Sequence, residues 1–294
     1  MLLSTSFVPH LQHYDIDEAL TMIADSGFDA IDYSMTKEEY HCEETATEAF
    51  QNHLKDIRSR IEAKGLVVNQ SHAPYPSAYE DSSRDQEAFD GIVRSMRNAS
   101  TLGAKIIVVH PIFHFPDGQD GNQEALFERN IDFYNRLKPY CEEYNIKVAV
   151  ENDWKWFRTL NGRTMVRAAN STPEIFCRYL DTLNSPWFVG CLDLGHALIV
   201  KTDAEEFIRK LGTERLQALH VHDVTPQYDS HLLPYHGGMV NWEGVIEALR
   251  EINYQGDFTY EAGNFVKPLP KELVPHACRY SGAMGKYLRD RITG

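Results

Sequence analysis

Five short apolar stretches of this 294-residue chain each end on a residue able to bind a metal ion. Ile106-Ile107-Val108-Val109 ends on His110, Val148-Ala149-Val150 on Glu151, and Phe188-Val189-Gly190-Cys191-Leu192 on Asp193. Leu216-Gln217-Ala218-Leu219 ends on His220, and Asp257-Phe258-Thr259-Tyr260 on Glu261. A short β-rich apolar run reads as a strand buried on both faces, the signature of a parallel sheet. A carboxylate or imidazole at its C-terminal tip then stands where parallel α/β folds keep their chemistry. Tips in this order, separated by helical segments, predict a barrel with a metal at its mouth.

Strand and helix signals alternate from end to end. Leu2 to Phe7 reads as strand one, and Ile16, Leu20 and Ile23 follow at helical spacing, with Asp15 and Glu18 set as a capping box. Gly27 closes that helix before strand two, Phe28 to Tyr33. A polar helix over about 45–64 ends at Gly65, and Leu66 to His72 is strand three. Phe89, Val93 and Met96 mark a helix stopped by Gly103 ahead of strand four. A helix over about 123–144 precedes strand five, and Thr172-Pro173-Glu174 opens the helix before strand six. Phe207, Ile208 and Leu211 mark a short helix before strand seven. Asn241 caps a helix carrying Val245, Ile246 and Leu249 before strand eight. A last amphipathic helix is expected to hold Tyr280, Met284, Tyr287 and Leu288 on its face. Eight βα units at this length predict one (β/α)8 TIM barrel over 1–294, an α/β fold. No GxGxxG follows strand one, which disfavours a doubly wound open sheet.

Bulk properties narrow the function. No run approaches the ~18 apolar residues of a membrane helix. The start, MLLSTSFVPHLQHY, lacks a basic region and a long apolar region, so no signal peptide is expected. Five scattered cysteines without a CxxC pair fit a reducing cytoplasm rather than a disulfide framework or zinc knuckle. A net charge of −14 repels phosphate backbones, so neither nucleic acid nor membrane is an expected partner.

Glu151, Asp193, His220 and Glu261 end strands five to eight and converge on one mouth of the barrel. Three carboxylates that close repel one another unless a cation neutralises them. With one imidazole they form a mostly oxygen donor set for a single divalent metal ion, Mn2+ placed first, then Mg2+, Co2+ or Zn2+. His72 and His110 finish strands three and four; they line the pocket, hold a second metal, or serve as structural histidines. Asp229 and His231, on the loop after strand seven, either reach the cleft or form a solvated pair. Tyr75, Phe113, Phe115, Trp154 and Trp156 crowd the loops after strands three to five. Their faces suit the C–H faces of a sugar, or else cover the core or a contact in a homo-oligomer. Asp117-Gly118-Gln119-Asp120-Gly121 reads as a flexible turn without calcium-loop spacing.

The motifs occur in a characteristic order. They are Ser71-His72-Ala73-Pro74-Tyr75, Val109-His110-Pro111, Val150-Glu151-Asn152, Leu192-Asp193-Leu194-Gly195-His196-Ala197 and His220-Val221-His222-Asp223. Asp229-Ser230-His231-Leu232-Leu233-Pro234 then runs into Gly237-Gly238-Met239-Val240-Asn241-Trp242. This set resembles the xylose isomerase-like barrels of the sugar phosphate isomerase/epimerase superfamily over nearly the whole chain. The resemblance implies that Glu151, Asp193, His220 and Glu261 are the metal quartet. It also implies that Glu151 and Glu261 form the acid/base pair, moving a proton on the carbon next to a carbonyl through a metal-stabilised enediolate. His196 matches a position that contacts substrate oxygens, or else supports the ligands from behind, and His222 falls where many members carry lysine. His72, His110, Asp229, His231 and Trp154 complete the expected sugar-binding set. Ketose 3-epimerases of the superfamily carry an arginine soon after the strand-seven histidine. Val224-Thr225-Pro226-Gln227-Tyr228 has none, which counts against that subgroup. No Gly-rich phosphate cradle follows strands seven or eight; Gly263-Asn264 and Lys267 are weak substitutes.

The alternative is a phosphodiester hydrolase resembling endonuclease IV, in which nine ligands hold three zinc ions. Residues of the right type stand at all nine positions: His72, His110, Glu151, Asp193, His196, His220, Asp229, His231 and Glu261. Against it stand the bulky Asn152-Asp153-Trp154-Lys155-Trp156-Phe157 stretch, where DNA-binding members have a small loop, and the negative charge. A lyase using the same enediolate is a variant of the first reading, and a catalytically silent sugar-binding barrel is a third class.

Overall fold

The computed structural model describes residues 1–36, 42–115, 122–159, 162–226 and 228–294, the side chains of 156–159 excepted. The Asp117 to Gly121 turn, Gln227 and the side chain of Trp156 lie outside the described residues. One sheet of eight parallel strands forms the centre: β1 (Leu3–Ser6), β2 (Ala30–Ser34), β3 (Val67–His72), β4 (Ile106–Val109), β5 (Lys147–Glu151), β8 (Phe188–Asp193), β9 (Leu216–His220) and β12 (Phe258–Tyr260). These are the eight strands expected from the apolar runs. The sheet closes between β9 and β12 through a parallel bridge, Val221 to Tyr260, with Val221 N donating to Thr259 O at 2.8 Å and Glu261 N to Val221 O at 3.1 Å.

Alternation along each strand sorts the side chains. Ile107, Val109, Val148, Val150, Leu192 and Leu219 are buried in the main core between sheet and helices. Val108, Ala149, Val189, Cys191 and Ala218 pack together as a separate small cluster inside the barrel. Glu151 shares its face with Ala149, Asp193 with Cys191, and His220 with Ala218. The two-residue period therefore carries the ligand-type residues inward, one step above this apolar plug. Parallel register sets their heights, pairing Glu151 with Cys191 and Asp193 with His220.

The outer layer comprises α1 (Ile16–Asp25), α2 (Glu48–Ala63), α3 (Asp85–Leu102), α4 (Gln123–Tyr144), α5 (Pro173–Leu183), α7 (Ala204–Arg215), α8 (Trp242–Glu251) and α9 (Val274–Thr293), with the short α6 (Leu194–Ile199) directly after β8. Local chemistry starts and stops them. Asp15 accepts from Glu18 N while Glu18 accepts from Asp15 N, the capping box read from the sequence. Asn122 and Asn241 cap α4 and α8, and Gly103 ends α3 with φ of 102°. Two antiparallel hairpins were not foreseen: β6 (Trp154–Thr159) with β7 (Gly162–Arg167), and β10 (Asp223–Thr225) with β11 (Tyr228–Leu232). Both follow barrel strands and rise beside the mouth. No helix among the described residues is long and apolar enough to cross a membrane.

Candidate functional site

The C-terminal tips of β5, β8, β9 and β12 bring Glu151, Asp193, His220 and Glu261 together. One ligand atom from each lies within 4.8 Å of all the others. His220 Nδ1 is 2.6 Å from Glu151 Oε1, 3.2 Å from Glu261 Oε2 and 3.9 Å from Asp193 Oδ2. Two further groups flank this quartet. His72 and His110, from the ends of β3 and β4, stand 3.5 and 3.0 Å from Glu151 Oε2, with their Nε2 atoms 3.0 Å apart. On the other side, Asp229 Oδ2 is 3.3 Å from both His196 Nε2 and His231 Nε2. Glu151 belongs to the first group and the quartet, while Asp193 belongs to the quartet and a group with His196 and His222.

Residues behind the site hold this arrangement. Asn152 locks β5 to β8: its Nδ2 donates to Asp193 O at 2.9 Å and its Oδ1 accepts from Asp193 N at 2.7 Å. Asp193 Oδ1 caps α6 by accepting from His196 N at 2.7 Å. His222 is fully buried behind Asp193, its Nε2 2.8 Å from Oδ2, and it forms no part of the pocket wall. It was expected to face the substrate and instead contacts the Asp193 carboxylate.

The electrostatics follow from packing imidazoles among carboxylates. Burial pushes His220 down, but Glu261, Glu151 and Asp32 outweigh it and raise the imidazole to about 10. Burial opposes, and Asp153 and Glu151 overcome it, in raising His110 well above the usual histidine range. In turn His220 and His110 hold Glu151 well below the carboxylate range despite burial, and His196 and His231 do the same for Asp229. Imidazoles and carboxylates thus shift one another in opposite directions across the site. Glu151 Oε2, Asp229 Oδ1 and His220 Nε2 are nevertheless buried without a hydrogen-bond partner, an arrangement that costs stability unless something else satisfies them. Three carboxylates and an imidazole around one point, with orphaned oxygen at its edge, fit a divalent cation.

Above the quartet lies a cavity of about 540 Å3. His72, His110, Glu151, His196, Asp229, His231, Glu261 and Trp154 all reach its wall, as do Tyr75 and Phe113. Tyr75 stacks on His110 with centroids 5.2 Å apart, and Trp154 meets His196 edge-on at 6.4 Å. Phe115 packs against the core instead. The sequence reading missed Asp153, which lies 2.6 Å from His110 Nδ1, and Asp32, buried 3.8 Å below His220 Nε2. Asp32 shares the inward period of strand two, a signal present in the sequence. Asp153 becomes visible only once the turn after β5 is built.

The profile of the xylose isomerase-like TIM barrel family matches residues 20–280, so the chain belongs to that family. A candidate L-ribulose-5-phosphate 3-epimerase of Escherichia coli is 22% identical over 253 residues, covering 83% of this chain and 82% of that one. An uncharacterized protein of Sinorhizobium fredii is 26% identical over 193 residues, or 65% of this chain, which spans only 56% of that relative's length. Among solved structures, a D-tagatose 3-epimerase-like protein superimposes with a TM-score of 0.73 at 21% identity, covering 100% of this chain and 98% of its own. The IOLI protein with a bound zinc atom gives 0.73 at 16% identity over the same shares. At these identities the structural matches establish the barrel fold.

Proposed function

We propose that this chain is a divalent-metal-dependent isomerase or epimerase of a small sugar or sugar derivative. The observation that carries the reading is the quartet of Glu151, Asp193, His220 and Glu261, two of whose members, Glu151 and Glu261, line an aromatic-walled cavity of sugar size. The epimerases among its relatives and structural neighbours, and the zinc-bound neighbour, support it. A divalent cation held by the quartet, Mn2+ being the first to try, would stabilise negative charge gathering on substrate oxygens. Glu151 and Glu261 reach His220 Nδ1 from two sides, and both line the cavity. Glu261 is the more open, with 29% of its side chain exposed against 1% for Glu151. In this reading one carboxylate removes the proton next to a substrate carbonyl and the other returns a proton to the resulting enediolate. Tyr75, Phe113 and Trp154 offer faces for the sugar's C–H surface, and His196, Asp229 and His231 contact its oxygens. All five cysteines are free, in keeping with a reducing, cytoplasmic location.

The test is metal content by mass spectrometry on protein purified without chelator, beside the Glu151→Ala/Glu261→Ala double variant. Transfer of solvent deuterium into a panel of ketoses and aldoses is measured in parallel. The expected result is about one ion per chain, lost in the variant, with deuterium appearing at a carbon next to a carbonyl. Failure of every sugar to exchange would remove the isomerase reading. The flanking His72/His110/Glu151 and His196/Asp229/His231 groups favour a second reading, a multi-zinc phosphodiester hydrolase. Two or three zinc ions per chain together with phosphodiester cleavage would replace the first reading by this one.

A further inference from the structure

The pocket histidines are anchored on one ring nitrogen and present the other. His72 Nδ1 lies 2.7 Å from Ala73 O, His196 Nδ1 3.0 Å from Asn152 O, and His231 Nδ1 2.7 Å from Glu261 O. In each case Nε2 then faces a site carboxylate: Glu151 for His72, and Asp229 for the other two. His110 departs from this pattern, because a carboxylate rather than a backbone carbonyl meets its Nδ1. Asp153 Oδ2 stands 2.6 Å away, while His110 Nε2 is 3.0 Å from Glu151 Oε2.

Asp153 is well placed to hold a ring still. It is 5% exposed, its Oδ1 accepts from Trp154 N at 2.7 Å, and its carbonyl accepts from Ser171 Oγ, which ties it to the far end of the β6–β7 hairpin. The same carboxylate lies 3.8 Å from His196 Nδ1, so it stands between the two histidine groups that flank the quartet. We propose that Asp153 is a positioning residue: its carboxylate, 2.6 Å from His110 Nδ1, fixes the angle of that ring and keeps Nε2 aimed at Glu151. Histidines that bind metals or carry protons depend on such an outer partner to fix tautomer and ring angle. The inference concerns the same centre as the proposed function and rests on that reading for its effect on metal binding.

The experiment compares zinc-loaded wild type with Asp153→Ala and Asp153→Asn by imidazole nitrogen–proton correlation spectroscopy, using His110→Ala to assign the His110 signals. Wild type is expected to hold a slowly exchanging proton on His110 Nδ1. The alanine variant should exchange that proton faster and, because His110 Nε2 contacts Glu151 of the quartet, bind zinc several-fold more weakly against a chromophoric chelator. Asparagine keeps an oxygen acceptor and should restore most of both. A thermal melt checks folding, and Asp153→Ser, too short to reach Nδ1, replaces the alanine variant if that one fails to melt cooperatively. Unchanged exchange of the His110 Nδ1 proton in the truncated variant would overturn the proposal. If wild type takes up no zinc, manganese or cobalt, the metal reading falls, and the His110 spectra of that protein still decide the role of Asp153.

Discussion

A Cβ at Gly195 would stand 2.2 Å from His222 Cε1 and 2.5 Å from Val224 Cγ1, both closer than atoms approach. The glycine is needed so that His222 can press against Asp193 from behind. Gly195→Ala should displace His222, destabilise the fold by about 1–3 kcal/mol through overpacking, and weaken metal binding. Paired melts and metal titrations check this, and an alanine variant with wild-type affinity would show that His222 does not hold the ligand. His10 gives a second prediction. It is buried with Nδ1 3.1 Å from Ser6 O, and desolvation lowers it to about 4. Between that value and the ordinary 6.5 the unfolded chain takes up a proton that the folded chain refuses. Stability should therefore fall as pH drops through this window, by on the order of 3 kcal/mol from this residue, and be unaffected above it. Urea unfolding at pH 7 and pH 4.5 should show a smaller loss for His10→Gln than for wild type.

Among the elements, α9 corrects an expectation. The sequence reading marked this amphipathic helix by Tyr280, Met284, Tyr287 and Leu288, but Tyr280 and Tyr287 are 46% and 51% exposed. The buried face is made instead by Ala277, Cys278, Ser281, Gly282, Gly285, Leu288 and Ile292. The reason is proximity: a Cβ on Gly285 would meet Leu3 Cδ1 at 2.5 Å, and one on Gly282 would meet Ser26 O at 2.0 Å. Small residues that allow such approach carry no hydrophobic signal, so a search for apolar periodicity picks the tyrosines. Leu288→Ala should cost about 2–5 kcal/mol, while Tyr287→Ala should stay within about 1 kcal/mol. Denaturant midpoints of the two variants check this, and equal losses would return the tyrosine to the packed face. The hairpins escaped because the aromatics of β6 read as part of a loop cluster over the pocket, while β10–β11 is short and mostly polar. By contrast α4 was legible at both ends, since Asn122 caps it and Asn145, with φ of 50°, stops it.

For the molecule as a whole, the site ties together strands that are far apart in sequence. Glu151 and Glu261 come from opposite parts of the chain, and the barrel closes beside them through the Val221–Tyr260 bridge. A cation that binds only the folded barrel should raise its stability by RT ln(1 + [L]/Kd), about 2.7 kcal/mol at a hundredfold excess over Kd. Manganese or cobalt should accordingly raise Tm, EDTA should reverse the rise, and the Glu151→Ala/Glu261→Ala variant should show neither. A metal-independent Tm in wild type would mean that the quartet is held by its own ion pairs alone.

The sequence by itself determined the eight strands, their buried character and the residue at each strand tip, because alternation and strand length are local properties of the chain. Those properties place Glu151, Asp193, His220 and Glu261 at one end of a parallel barrel. Tertiary structure alone decided which of them touch, since register and closure set heights and distances that no local spacing encodes. It put His222 behind Asp193 instead of on the pocket wall and brought Asp153 from the turn after β5 against His110. It also turned the tyrosines of α9 outward, because the closest packing against β1 falls to residues with almost no side chain.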